Sequence, residues 1–112
     1  MQVGFIGLGN VGGKLSGSLL RNGVSLQVHD LDEVLVEAFV AKGAKNGVSP
    51  AEMMQSCDIV ITCLPNPAAS AAVVQAMLAH VKPGKIWLEM STTDEAEVKR
   101  LGALVQAKGG QA

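Results

Sequence analysis

Gln2-Val3-Gly4-Phe5-Ile6-Gly7-Leu8-Gly9-Asn10-Val11-Gly12 decides the reading of this chain. An apolar run of strand character leads into Gly7-x-Gly9-x-x-Gly12, and a segment of helical character follows from Val11 to about Arg21. A glycine triad in that context is the dinucleotide-binding fingerprint. Gly7 lets the chain turn off the strand, Gly9 lets backbone approach a pyrophosphate, and Gly12 lets the helix pack on the strand. The helix N-terminus then turns free N–H groups and the positive end of its dipole toward the phosphates.

Outward from this stretch, strand and helix alternate to the end. Ser25 to His29 reads as a second strand with Leu26 and Val28 on one face. Residues 32–42 read as a helix with Val34, Leu35, Ala38 and Phe39 at helical spacing. Ala44 to Val48 reads as a minor strand, and Ser49-Pro50-Ala51-Glu52 as a capping box. Asp58 to Leu64 is nearly all apolar, the signature of a strand covered on both faces of a parallel sheet. Pro65-Asn66-Pro67 breaks it and an alanine-rich helix follows over 68–80. Lys85 to Met90 is a further strand. Thr92-Thr93-Asp94-Glu95 offers another capping box, opening a helix that Gly109-Gly110 ends. Short loops between five such units predict an α/β, Rossmann-like, doubly wound parallel sheet in a single domain.

Composition narrows the function classes. The 112 residues carry a formal net charge of −1 and no run of Lys or Arg, which argues against a nucleic-acid surface. Aromatics are 3% and Tyr is absent, so a base-stacking platform is not expected. Hydrophobic residues at 48% predict a folded core. No apolar run approaches the roughly 20 residues of a membrane span, and no basic-then-apolar leader opens the chain. Cys57 and Cys63 fit no metal spacing and read as buried, reduced thiols, so a cytoplasmic protein without a metal is expected. The five methionines read as core filler.

Asp30 stands 18 residues after Gly12, at the end of the second strand. Its carboxylate is placed to accept hydrogen bonds from adenosine ribose hydroxyls, or else to cap the next helix. A carboxylate there repels a 2′-phosphate. Its neighbours Leu31, Asp32 and Glu33 offer no cation, so NAD is expected over NADP. A hydrogen bond to a charged group contributes about 1.5–3 kcal/mol, which converts to about tenfold to a hundredfold. Cys63-Leu64-Pro65 and Ser91-Thr92-Thr93 end later strands and face the same crevice, unless they only stop a strand and cap a helix. His29 is expected to point away from the ribose site. His80, at a helix end, suits the dipole.

Together these residues resemble the β-hydroxyacid dehydrogenases, the 3-hydroxyisobutyrate dehydrogenase family. The resemblance runs through Gly4 to Gly12, His29-Asp-Leu-Asp32, Gly43-Ala44, Asp58 to Pro65, Asn66-Pro-Ala68 and Met90-Ser-Thr-Thr-Asp94. Leu64-Pro65 combined with Ser91-Thr92 is more specific than the glycines and argues against pyrroline-carboxylate reductases. Val11 stands where the family usually has Met, and the segment between Ala76 and Val81 is shorter than usual. The resemblance implies NAD(P) contacts from Gly7, Leu8, Gly9, Asn10, Val11, Gly12, Asp30, Leu31, Leu64, Pro65 and Thr92. It also implies hydride transfer between a nicotinamide cofactor and a small β-hydroxy acid or semialdehyde. The family's catalytic lysine lies in a helical domain, so residues 1–112 are expected to be a truncated dinucleotide-binding domain, inactive alone, with no catalytic residue of its own. A non-catalytic nucleotide-binding or redox-sensing module is the alternative. The sheet edge left bare after Gly110 predicts self-association into a homo-oligomer.

Overall fold

The computed structural model describes residues 1–90 and 95–112. The elements run β1 (Gln2–Ile6), α1 (Asn10–Arg21), β2 (Ser25–His29), α2 (Glu33–Ala41), β3 (Lys45–Asn46), α3 (Pro50–Ser56), β4 (Ile59–Thr62), α4 (Pro67–Met77), a 3₁₀ turn (Leu78–His80), β5 (Ile86–Glu89) and α5 (Glu95–Ala107). The sheet is wholly parallel in the order β3-β2-β1-β4-β5. The order reverses between β1 and its neighbours β2 and β4, and this is where an open α/β sheet forms its ligand crevice.

Two cores cover the two sheet faces. Ile6, Val60 and Trp87 pack with Met53, Met54, Val74, Met77, Leu101 and Val105 from α3, α4 and α5. Phe5, Leu26 and Val28 pack with Val36 and Phe39 from α2, and with Leu15 and Leu19 from α1. Alternation along β4 sends Val60 to one core and Ile61 to the other, so both faces of this strand are covered as expected.

Three expectations need correction. α2 buries Val36 and Phe39, while Val34 is 72% exposed. Nearly every position of α2 is apolar, so sequence spacing alone cannot select its inner face. Of the methionines, Met53, Met54 and Met77 fill the core, but Met1 and Met90 are exposed. The β5 edge is not bare. Gln111 donates its N–H to the Lys85 carbonyl (2.9 Å) and accepts from the Trp87 N–H (2.8 Å), in parallel register with Ile86. Leu88 on β5 remains 44% exposed.

Local chemistry fixes the helix starts. The Ser49 hydroxyl accepts from the Glu52 N–H (3.2 Å), with Pro50 in the first turn of α3. Asn66 Oδ1 accepts from the Ala69 N–H (2.8 Å), with Pro67 opening α4. The expected Thr92 box lies outside the described residues.

Candidate dinucleotide site

The site begins where β1 ends. The Gly7 N–H donates to the His29 carbonyl (2.9 Å), carrying the β1–β2 ladder one step past the strands. Gly7 has φ +102°, and a Cβ on it would collide with the Cys63 carbonyl. A Cβ on Gly12 would collide with the Gly7 carbonyl and press on Phe5. These two glycines are required by the fold itself.

Gly9 differs. Its φ is −67°, which any residue adopts, and a Cβ there would meet nothing within 4 Å. Neither conformation nor packing within the chain calls for glycine at this position. The space in front of it is the cradle that an approaching phosphate requires and a side chain would fill.

The helix behind Gly9 shows the same preference. Asp32, Ser49 and Asn66 each cap their helices with a side-chain oxygen. α1 starts at Gly9 with no side-chain cap and no acidic residue in its first turn. Its leading N–H groups and dipole therefore face the crevice, the arrangement that binds phosphate oxygens.

Asp30 closes one end. Its Oδ2 accepts from the Leu8 N–H (2.8 Å) and its Oδ1 from the Asp32 N–H (2.8 Å). Capping of α2 falls to Asp32, whose Oδ1 accepts from the Val34 N–H (3.0 Å). The alternative that Asp30 caps this helix is thereby removed. A carboxylate has about four acceptor sites, so Asp30 retains acceptor capacity for ribose hydroxyls.

The crevice has a volume of about 890 Å³. Gly7, Gly9, Asn10, Val11, Gly12, Asp30, Leu31, Leu64 and Pro65 all border it. Leu8 does not. Its side chain is buried in the core under α1 and α2, and its N–H is held by Asp30. Thr92 lies outside the described residues. His29 also borders the crevice.

Cys63 joins the crevice wall as its strand-end position leads one to expect, whereas Ala69, Ala72, Val73 and Met90 were not foreseen there. The run of small residues in α4 was the available signal, because it lets the helix approach without filling the space. Burial pushes the Cys63 thiol above its ordinary value, and the nearby Glu89 carboxylate adds to this. The thiol therefore stays protonated at neutral pH and presents an apolar surface. The crevice thus has apolar walls, an open helix N-terminus in its floor and a carboxylate at one end. That is the chemistry a dinucleotide presents in reverse. Among the described residues no cluster suited to a metal occurs.

The sequence profile of the family described as the NAD binding domain of 6-phosphogluconate dehydrogenase matches residues 2–112. The chain belongs to this family. Its nearly complete coverage bears out the resemblance to the N-terminal domain of the β-hydroxyacid dehydrogenases. The NAD-dependent L-serine dehydrogenase of Pseudomonas aeruginosa is 33% identical over 96% of the chain, which spans 37% of that protein. The human cytokine-like nuclear factor N-PAC is 32% identical over 98% of the chain, which spans 20% of it. A structure of the 3-hydroxyisobutyrate dehydrogenase of Mycobacterium tuberculosis with L-serine superposes with a TM-score of 0.91 at 25% identity. It covers 98% of the chain, which spans 38% of that protein.

Proposed function

We infer that this chain is the cofactor-holding domain of an NAD-dependent oxidoreductase acting on a small β-hydroxy acid or its semialdehyde. The observation that carries the reading is the pairing of Gly9 with α1. A glycine that the fold does not need stands before α1, which starts without a side-chain cap, and the neighbouring Leu8 N–H is bonded to Asp30. The glycine loop and the start of α1 hold the pyrophosphate, Asp30 accepts from the adenosine ribose, and Leu64-Pro65 pack toward the nicotinamide end, to which the family resemblance also assigns Thr92. Bound nicotinamide supplies the hydride acceptor or donor. The substrate class is supported by two similar proteins, one an L-serine dehydrogenase and one a 3-hydroxyisobutyrate dehydrogenase with L-serine, L-serine being itself a β-hydroxy acid.

Residues 1–112 form one dinucleotide-binding domain in this reading, with proton transfer and substrate binding supplied by a helical domain of the parent protein. The parent is cytoplasmic and homo-oligomeric. Among the described residues no helix is long and apolar enough to cross a membrane, and Leu88 and Met90 offer exposed apolar surface for association. Light scattering across a concentration series tests the last point; a monomer at every concentration counts against it.

Titration with NADH and NADPH, followed by Trp87 and cofactor fluorescence, tests the central claim. NADH is expected to saturate, with NADPH about tenfold to a hundredfold weaker because Asp30 repels a 2′-phosphate. Absence of NADH binding sinks the function, and tighter NADPH binding sinks the role given to Asp30. A non-catalytic nucleotide-binding module is the second reading, favoured by the 32% identity to N-PAC, named as a nuclear factor. Turnover of L-serine or 3-hydroxyisobutyrate by the parent protein separates the two.

A further inference from the structure

The Asp30 carboxylate does more than face the crevice. The backbone ladder between β1 and β2 runs out at the Gly7 N–H, which reaches the His29 carbonyl. The next donor along the chain, past the end of β1, is the Leu8 N–H, and its acceptor is the Asp30 side chain at 2.8 Å. Asp30 therefore ties the chain just beyond β1 to the end of β2 with a side-chain oxygen. The bond pins Leu8, whose side chain is buried in the core with Phe5, Leu26 and Phe39. Gly9, the residue before which the phosphates lie, comes next. The second carboxylate oxygen holds the Asp32 N–H, and so sets the turn that carries Leu31, 97% exposed on the crevice rim.

We propose that Asp30 is a positioning residue for the phosphate-binding loop, in addition to its role as ribose acceptor. The proposal rests on the dinucleotide reading above and goes beyond it. It makes the two ends of the site energetically dependent on one another. A ligand that never reaches the adenosine ribose still depends on Asp30, because Asp30 fixes Leu8, and Leu8 fixes Gly9 and the start of α1. Charge–assisted hydrogen bonds of this kind are roughly twice as strong as neutral ones. Among the described residues the Leu8 N–H has no other acceptor, so an Asn that turns its amide nitrogen toward it leaves the donor unpaired.

The two roles predict opposite signs for a truncated ligand. Reduced nicotinamide mononucleotide carries a phosphate but no adenosine ribose. If Asp30 served the ribose alone, Asp30→Asn would remove a negative charge near an anion and leave this ligand bound equally or more tightly. If Asp30 positions the loop, the same change weakens it. Asp32→Asn is the control. It removes a charge from the same rim and keeps an oxygen for the α2 cap, without touching Leu8.

The experiment titrates wild type, Asp30→Asn and Asp32→Asn with reduced nicotinamide mononucleotide and with NADH, following backbone amide resonances and hydrogen exchange. In Asp30→Asn, affinity for the mononucleotide is expected to fall at least fivefold, and the Leu8 amide to exchange at least tenfold faster. Asp32→Asn is expected to match wild type on both. Mononucleotide affinity equal to or above wild type in Asp30→Asn, with NADH alone weakened, overturns the proposal and leaves the dinucleotide reading standing. Failure of the wild type to bind NADH overturns that reading itself. Should Asp30→Asn not fold, Asp30→Glu supplies the same measurements, since its extra methylene displaces the acceptor but keeps the carboxylate. A loosened Leu8 amide with weakened mononucleotide supports the proposal there; a loosened amide with unchanged affinity overturns it.

Discussion

The Trp87 indole N–H donates to the Thr62 hydroxyl at 2.9 Å, and both side chains are buried. The bond crosses from β5 to β4, and Thr62 directly precedes Cys63 of the crevice wall. Thr62→Val keeps the shape and removes the acceptor. An unpaired buried donor costs about 1–3 kcal/mol, so denaturant unfolding is expected to show that loss with an unchanged m-value. A variant as stable as wild type removes this bond from the account of the core.

Gly9→Ala and Gly12→Ala are expected to separate binding from folding. The alanine at 9 meets no atom within 4 Å and sits at an ordinary φ, so thermal stability stays within about 0.5 kcal/mol of wild type. Its methyl occupies the phosphate approach, and NADH affinity falls at least about tenfold, or about 1.4 kcal/mol. The alanine at 12 collides with the Gly7 carbonyl and is expected to cost about 1–3 kcal/mol of stability. Loss of stability in Gly9→Ala with NADH binding intact reverses the assignment.

The path of the chain was legible because its signals are local. Glycines at 7, 9 and 12, the caps at Ser49 and Asn66, and the apolar run at 58–64 each act over a few residues. The facing of α2 was not legible, because an almost wholly apolar helix offers no contrast and Val36 is selected by tertiary packing alone. Leu8 looked like a loop contact by position. Its burial and its bond to Asp30 depend on two strands meeting, which spacing within one segment does not encode. The pairing of Gln111 with Lys85 and Trp87 is long-range in the same way.

Val48 carries φ +72° two residues past β3, the one non-glycine among the described residues with positive φ. A β-branched side chain in the left-handed region costs about 1–2 kcal/mol. The side chain is 64% exposed and offers little burial in return. Its N–H is held by Asn46 Oδ1 at 2.9 Å, a bond that substitution preserves. Val48→Asn is therefore expected to stabilise the domain by about 1 kcal/mol in urea unfolding. A destabilised variant means that Val48 makes contacts worth more than the strain.

Cys57 gives the domain an alkaline limit. Its side chain is fully buried, and burial pushes the thiol above its ordinary value of 9.0, with Asp58 adding to the rise. Its bond to Ser56 and the Lys85 charge oppose that rise but do not cancel it. The sign follows from proton counts. Above the ordinary thiol value the unfolded chain has lost this proton while the folded chain keeps it, so the unfolded state binds fewer protons and stability falls as pH rises. The contribution is whole below pH 9.0, declines above it, and levels off once pH passes the folded value. Cys63 shifts in the same direction and adds to the same window. Urea unfolding between pH 7 and pH 10.5 is therefore expected to show a shoulder near pH 9 and a decline beyond it. Cys57→Ala lowers stability at pH 7 by leaving a small cavity, yet it is expected to flatten the decline, since alanine has no proton to lose. An equally steep decline in that variant places the alkaline limit on another group.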